Sequence, residues 1–203
     1  AELGELVRSL GIGWRSAPPR IRLREEERNR ARDWLRGWAE GPVIAVAPGA
    51  RYGPTKRWPL ERFRELASRI GAHGWNVVWI GGPDEAGSLG DLDRSSRARG
   101  RQRDAMGMFS LRGSAALLAE CTAAVANDSG AMHLAQGAGC PTAALFGSTE
   151  PSWTGPLGPN RIVRHEVACS PCFRSDCPYN LECWDGLHVD RVWSELQDLV
   201  AQS

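Results

Sequence analysis

"VANDSGAMHLAQGAGCPTAALFG", residues 125–147, decides how the rest of the chain is read. An apolar run (AAVA, 123–126) ends in Asn127-Asp128-Ser129-Gly130, and an alanine-rich helical pattern follows over 130–139. A second apolar run (TAALF, 142–146) then ends in Gly147-Ser148-Thr149. Strand, helix and strand in that order, with strands apolar throughout, describe a parallel crossover buried on both faces. The polar cluster after the first run has two readings. Asp128 or Ser129 caps the helix that begins near Gly130. Alternatively, Gly130 lets a ligand approach a helix N-terminus, where free N–H groups and the dipole favour a phosphate. His133 lies three residues on, facing the same mouth.

The same texture extends outward. Apolar runs recur at VIAVA (43–47) and VVWI (77–80), separated by the helical patterns LERFRELASRI (60–70) and SLRGSAALLAEC (110–121). This alternation predicts an α/β fold, a Rossmann-like parallel sheet with helices on both faces. The tail VDRVWSELQDLVAQ (189–202) predicts an amphipathic helix with Val192, Leu196 and Leu199 on one side. Near the start, Leu3, Leu6, Val7 and Leu10 share a face of a short helix over 3–12. After the SAPPR break, a charged helix over 25–38 reads as solvated and laced with i,i+4 pairs, with an anionic-surface contact as the alternative. The polar stretch DRSSRARGRQRD (93–104) reads as a mobile loop or a frayed helix.

The 203 residues suit one sizeable domain, and 42% apolar with 24% charged residues is ordinary for a globular chain. A net charge of +1 gives no reason to expect a nucleic-acid partner. No apolar run is long enough to span a bilayer. The start lacks the basic and apolar regions of a signal peptide, so a cytoplasmic location with reduced cysteines is expected.

In an open α/β sheet, ligands bind at the carboxyl ends of the strands. After the first run comes PGARYGPTKRWP (48–59), where the turn Pro48-Gly49-Ala50 could face its N–H groups to an anion and Lys56 approaches a helix start. It is either a turn with a surface lysine or one wall of a diphosphate site. With the Asp128 loop and the Gly147-Ser148-Thr149 loop, it makes a coherent nucleotide-diphosphate site.

Cys169, Cys172, Cys177 and Cys183 fall within fifteen residues. Three readings remain open: a bound structural metal such as zinc, free thiols or disulfides, and redox chemistry. Cys121 and Cys140 sit in apolar surroundings and are expected in the core.

Together, PGARYGPTKRWPLERFRELA (48–67), NDSGAMHLA (127–135), ALFGSTEP (144–151) and CSPCFRSDCP (169–178) resemble the glycosyltransferase family 9 heptosyltransferases, most of all those adding the second heptose. The resemblance covers roughly residues 42–200. It implies a GT-B arrangement of two Rossmann-like halves, acceptor-binding then donor-binding, using ADP-heptose with no metal needed for catalysis. This sequence resembles the C-terminal, donor-binding half, with residues 1–40 a joining segment and 41–203 the donor domain. The N-terminal half, carrying the acceptor groove and the catalytic Asp base, has no counterpart here, so no base is assigned.

Carried over by position, the resemblance implies that Gly49, Ala50 and Lys56 meet the diphosphate, with Lys56 stabilising the leaving group. Asp128, Ser129, Gly130 and His133 would meet diphosphate and sugar. For Asp128, capping the helix or accepting hydrogen bonds from sugar hydroxyls suits a carboxylate better than facing phosphate. Phe109 falls where adenine is contacted, and Asp84 or Glu85 where ribose is. The implied partners are ADP or ADP-heptose and, through the absent half, a lipopolysaccharide core acceptor, with any membrane contact peripheral and at the inner face of the inner membrane. The rival reading is a non-catalytic nucleotide-binding module acting through a partner. A third is a metal or redox protein built on the cysteines.

Overall fold

Strands that are apolar at every position need cover on both faces. The computed structural model, which describes residues 2–13, 17–38, 40–89 and 101–202, supplies it. In chain order the elements are α1 (Glu2–Ser9), α2 (Glu25–Leu35), β1 (Val43–Ala47), α3 (Leu60–Ala72) and β2 (Asn76–Trp79). Then come β3 (Gln102–Asp104), α4 (Leu111–Ala119), β4 (Ala123–Asn127), α5 (Gly130–Ala138) and β5 (Thr142–Phe146). The chain ends with α6 (Pro151–Thr154), β6 (Arg161–Arg164), α7 (Glu182–Asp185) and α8 (Val189–Ala201).

All strands pair in parallel, in the order β3-β2-β1-β4-β5-β6. The chain winds outward from β1 to β3, then returns to the other side of β1 as β4. Connections therefore leave β1 and β4 in opposite directions, opening the crevice where such sheets bind ligands. Side-chain alternation divides the core. Ile44 and Val46 of β1 pack with Phe63, Leu66 and Ile70 of α3 and Val192, Leu196 and Leu199 of α8. Val43 and Ala45 face Ala116, Leu117 and Leu118 of α4, Ala31 of α2 and Ala135 of α5. The predicted α/β architecture is thus the observed one. α5 stops at Gly139, whose φ of 83° is a left-handed conformation open to glycine at little cost.

The polar flanks of the sheet differ from expectation. Gln102–Asp104 is the strand β3, within the stretch expected to be a loop or frayed helix; residues 93–100 of that stretch lie outside the described set. The strand forms because its backbone completes the β2 edge, with Val77 N–H donating to Arg101 O at 2.8 Å and Ala105 N–H to Trp79 O at 3.0 Å. Its polar side chains find partners too: Arg103 lies 5.0 Å from the ring centroids of both Trp34 and Trp38. β6 is the opposite edge, with only Val163 buried.

α2, expected as a solvated helix, is docked. Ala31 and Trp38 are buried, and the charges reach across to α4 and its end, Arg32 to Glu120 at 3.1 Å, Arg28 to Glu120 at 3.6 Å and Arg112 to Glu27 at 2.5 Å, as well as along the helix, Arg32 to Glu25 at 3.4 Å and Arg36 to Asp33 at 2.6 Å. The segment expected only to join domains therefore packs from Ile21 onward, where Ile21 N–H donates to Gly137 O at 2.7 Å. On α1, Leu6 is exposed, as is Leu10 beyond its end, and the side chain of Leu3 lies outside the described set. Among the described residues, no helix is long and apolar enough to cross a membrane.

Candidate functional site

Asn127, the last residue of β4, is wholly buried at the crevice between β1 and β4. Its Nδ2 donates to Pro48 O at 2.6 Å, and its Oδ1 accepts from Trp58 N–H at 3.1 Å. One amide thus grips both ends of the loop after β1. Inside that loop, a single turn of 3-10 helix, Pro54–Lys56, points Lys56 back toward β4. Its Nζ lies 2.7 Å from Asp128 Oδ2, and Thr149 Oγ1 donates to the same oxygen at 2.7 Å. The loops after β1, β4 and β5 meet on one carboxylate.

This corrects two expectations. Lys56 is not a free surface cation, since its side chain is 16% exposed and paired. Asp128 does not cap α5. Its N–H still belongs to the sheet ladder, donating to Leu145 O at 3.0 Å, and its side chain, 4% exposed, leaves the strand toward the β1 loop. Ser129 does not cap the helix with its side chain either, and its Oγ is buried without a partner. The first turn of α5 therefore presents N–H groups that neither side chain satisfies. Gly130 above it faces open space, and His133 is exposed one turn on. The result is a half-open, polar mouth with a cation at one side and a helix N-terminus at the other.

The loop after β2 forms the neighbouring wall. Glu85 turns inward, accepting from Gly82 N–H at 2.7 Å, and its carboxylate occupies the place where a side chain at Gly49 would begin, 1.4 Å from a Cβ built there. A side chain at 49 would displace the Glu85 carboxylate from this position. Asp84 points outward, 86% exposed, with a 3.6 Å contact to the equally exposed Arg51 that carries little energy. Ala50 is buried, and its carbonyl accepts from Arg57 Nε at 2.7 Å. Phe109, at the start of α4, packs edge-on against Trp34 with centroids 5.5 Å apart. The structure thus gathers Gly49, Ala50, Lys56, Glu85, Asp128, Ser129, Gly130 and His133 around the crevice, leaves Asp84 at its rim, and gives Phe109 a packing partner in α2.

The segment after β6 clasps the site. Cys172 and Phe173 N–H groups donate to Ser148 O at 3.0 and 2.8 Å, and Ser170 Oγ donates to Gly147 O at 2.6 Å. Tyr52 Oη donates to Phe173 O at 2.8 Å, Thr55 Oγ1 to Arg174 O at 2.5 Å, and Trp184 Nε1 to Thr55 O at 2.8 Å. Cys169, Cys172 and Cys177 line a cavity of about 260 Å³ beside this clasp. All the cysteines are free thiols, and among the described residues no set of three or more His, Cys, Asp or Glu groups is placed to hold a metal ion. Burial raises the Cys183 thiol, with the three neighbouring cysteines adding to it. Cys121 and Cys140 are core residues as expected; burial pushes the Cys121 thiol up to about 12 and Cys140 well above its ordinary value.

A model of glycosyltransferase family 9 (heptosyltransferase) matches residues 5–182. The chain belongs to this family. The match takes in residues 5–40, in agreement with the docking of α2. Lipopolysaccharide heptosyltransferase 2 of Salmonella typhimurium is 37% identical over 129 residues, covering 62% of this chain and 37% of that protein. Its Escherichia coli K12 counterpart is 35% identical over 151 residues, covering 72% of this chain and 43% of that protein. The solved E. coli ADP-heptose LPS heptosyltransferase II superposes with a TM-score of 0.78 at 30% identity, covering 96% of this chain and 57% of that one. A family 9 glycosyltransferase from Veillonella parvula gives 0.79 at 25% identity, covering 98% and 59%. The chain spans less than half of the curated relatives and somewhat over half of the solved ones, and shares with the solved family members the Rossmann-like fold of GT-B glycosyltransferases.

Sequence reasoning gives Asn127 no role and places Thr149 at the site only as part of its loop, not as a partner of Asp128. The available signal was position: a buried-strand end closing on an amide that can both donate and accept, and a hydroxyl in the loop after the next strand.

Proposed function

We propose that this chain is the donor-binding half of an inverting heptosyltransferase that moves heptose from ADP-heptose to the lipopolysaccharide inner core, the role of the second-heptose relatives. One observation carries the reading: Lys56, Asp128 and Thr149 are locked together at the crevice between β1 and β4, directly beside the uncapped N-terminus of α5. Cleavage of the sugar–phosphate bond leaves negative charge on the departing ADP. Lys56 and the α5 N–H groups stabilise that charge more as it grows, so they lower the barrier rather than merely tighten binding. Asp128 acts on this reading by holding the ammonium in place. Ser129 Oγ, Gly130 and His133 line the diphosphate and sugar side, while Glu85 and Asp84 serve the ribose and Phe109 the adenine.

The transfer uses no metal. The acceptor groove and the base belong to the other half of the enzyme, which brings the lipid-linked acceptor at the cytoplasmic face of the inner membrane. Calorimetry tests the donor reading: ADP binds with one site per chain and more tightly than GDP or UDP. A chain that does not bind ADP overturns it.

A further inference from the structure

We infer that Tyr52, Phe173 and Trp153 form a sugar-stacking subsite, an aromatic arc that receives the C–H face of a pyranose beside the diphosphate site. The inference rests on the donor-site reading and adds to it a ligand group and the residues that hold it. The arc is continuous. Lys56 Nζ lies 5.7 Å from the Tyr52 ring centroid, Tyr52 Oη donates to Phe173 O at 2.8 Å, and the Phe173 and Trp153 rings stack with centroids 5.0 Å apart at 28°. Tyr52 is 53% exposed, Phe173 37% and Trp153 76%.

Elsewhere among the described residues the Phe and Trp rings are buried or partly buried. Trp58, Trp79, Trp184, Phe63 and Phe146 are all under 2% exposed. Among the described residues, every Phe, Tyr or Trp classed as exposed belongs to this arc or, for Tyr179, to the adjoining cysteine loop. Leaving such area in water costs free energy unless a ligand covers it. Phe173 is moreover held at a φ of 53°, a left-handed conformation disfavoured for a residue with a side chain, while its N–H is fixed on Ser148 O at 2.8 Å. The loop maintains that conformation and so keeps the ring under Trp153.

Sheet order says which part of a nucleotide sugar lies here. Glu85, Asp84 and Phe109 follow β2 and β3, on one side of the β1–β4 crevice, whereas Trp153 and Phe173 follow β5 and β6, on the other. With the diphosphate between them at Lys56 and α5, the nucleoside and the sugar fall on opposite sides. A pyranose offers an apolar C–H face with hydroxyls around its edge. That matches ring faces bordered by the Tyr52 hydroxyl, which lies 2.8 Å from Phe173 O.

The sugar comes from the donor or from the acceptor, and the two are separable. Trp153→Ala, at an exposed position, and the ring-conserving Trp153→Phe are compared with the wild-type chain. The probes are ADP, ADP-2-deoxy-2-fluoro heptose, and methyl heptopyranoside added to the ADP complex. We expect Trp153→Ala to leave ADP affinity within about twofold and to weaken a sugar-bearing ligand by about three- to tenfold, with Trp153→Phe recovering most of it. Weakening of the fluoro-sugar nucleotide assigns the subsite to the donor heptose; weakening confined to methyl heptopyranoside assigns it to the acceptor. Unchanged affinity for both sugar ligands overturns the inference. So does an equal loss for ADP alone, which would place the base on the arc. Failure of the wild-type chain to bind ADP overturns the donor reading, and this subsite with it.

Discussion

Lys56 and Asp128 are each explicable as loop residues, but their pairing changes what either substitution does. Asp128 is 4% exposed, so removing the ammonium strands a carboxylate with Thr149 as its remaining side-chain partner. Lys56→Ala should therefore cost about 1–3 kcal/mol of stability as well as weaken ADP binding by about 1.5–3 kcal/mol. The sequence alone suggests the second loss without the first, because it presents Lys56 as exposed. Adding Asp128→Asn separates the effects: the double variant should recover most of the stability, because the stranded charge is gone, and none of the ADP affinity. Urea midpoints and calorimetry check both halves. Equal midpoints for the single variant and the wild type would mean that Asp128 is better solvated than its burial indicates. The pairing was not legible because it depends on Asn127 gripping Pro48 and Trp58 across 79 and 69 residues of chain. Spacing within one loop carries no trace of such a contact.

At the level of elements, the helices and inner strands could be read because each hides a continuous apolar face, whereas β3 and β6 could not, because an edge strand buries little. β3 is made of Gln102, Arg103 and Asp104 and owes its form to the open edge of β2, which local composition does not encode. The charged helix α2 shows the same limit, since its existence is local and its partner is not. Arg112 of α4, with the Arg24 backbone N–H next in importance, holds the Glu27 carboxyl down to about 2. The folded value lies below the ordinary 4.5, so this contribution is complete above about pH 4.5 and disappears as pH falls toward 2. The pair lies at the surface, with Arg112 half-exposed and Glu27 partly covered, so the change is a local loosening rather than global unfolding. Hydrogen exchange in residues 25–38 should accelerate, relative to the intrinsic rate, as the pH drops through that window. Arg112→Ala should show the same loosening at pH 7. Unchanged protection of α2 in that variant would mean that the buried Ala31 and Trp38 hold the helix without help from the charges.

For the whole molecule, the decisive question is what the proposed donor half can do alone. Transfer requires an acceptor hydroxyl that is deprotonated and held in line with the anomeric carbon at the attack distance. On the proposed donor reading, the groups gathered at the crevice serve the leaving side. Lys56 is a cation, α5 offers N–H donors, and Asp128 is committed to Lys56 and Thr149. His133 is an exposed imidazole on the first turn of α5, at the mouth where the diphosphate is proposed to sit. A base there would be close to the departing oxygen and remote from an incoming hydroxyl on the opposite face of the sugar. The matched segments cover only 37% and 43% of the heptosyltransferase 2 relatives, which leaves room in those proteins for a second domain of similar size. The expected outcome is that the 203-residue chain binds ADP-heptose and transfers none of it to an inner-core acceptor. Supplying an N-terminal half from a family relative, fused or as a separate chain, should restore turnover, and Lys56→Ala should abolish most of what is restored. Turnover by the chain alone would show that the base lies within these residues and would defeat the division of labour. If the joined halves bind donor and acceptor yet do not react, the rival reading holds: a nucleotide-binding module that acts through a partner.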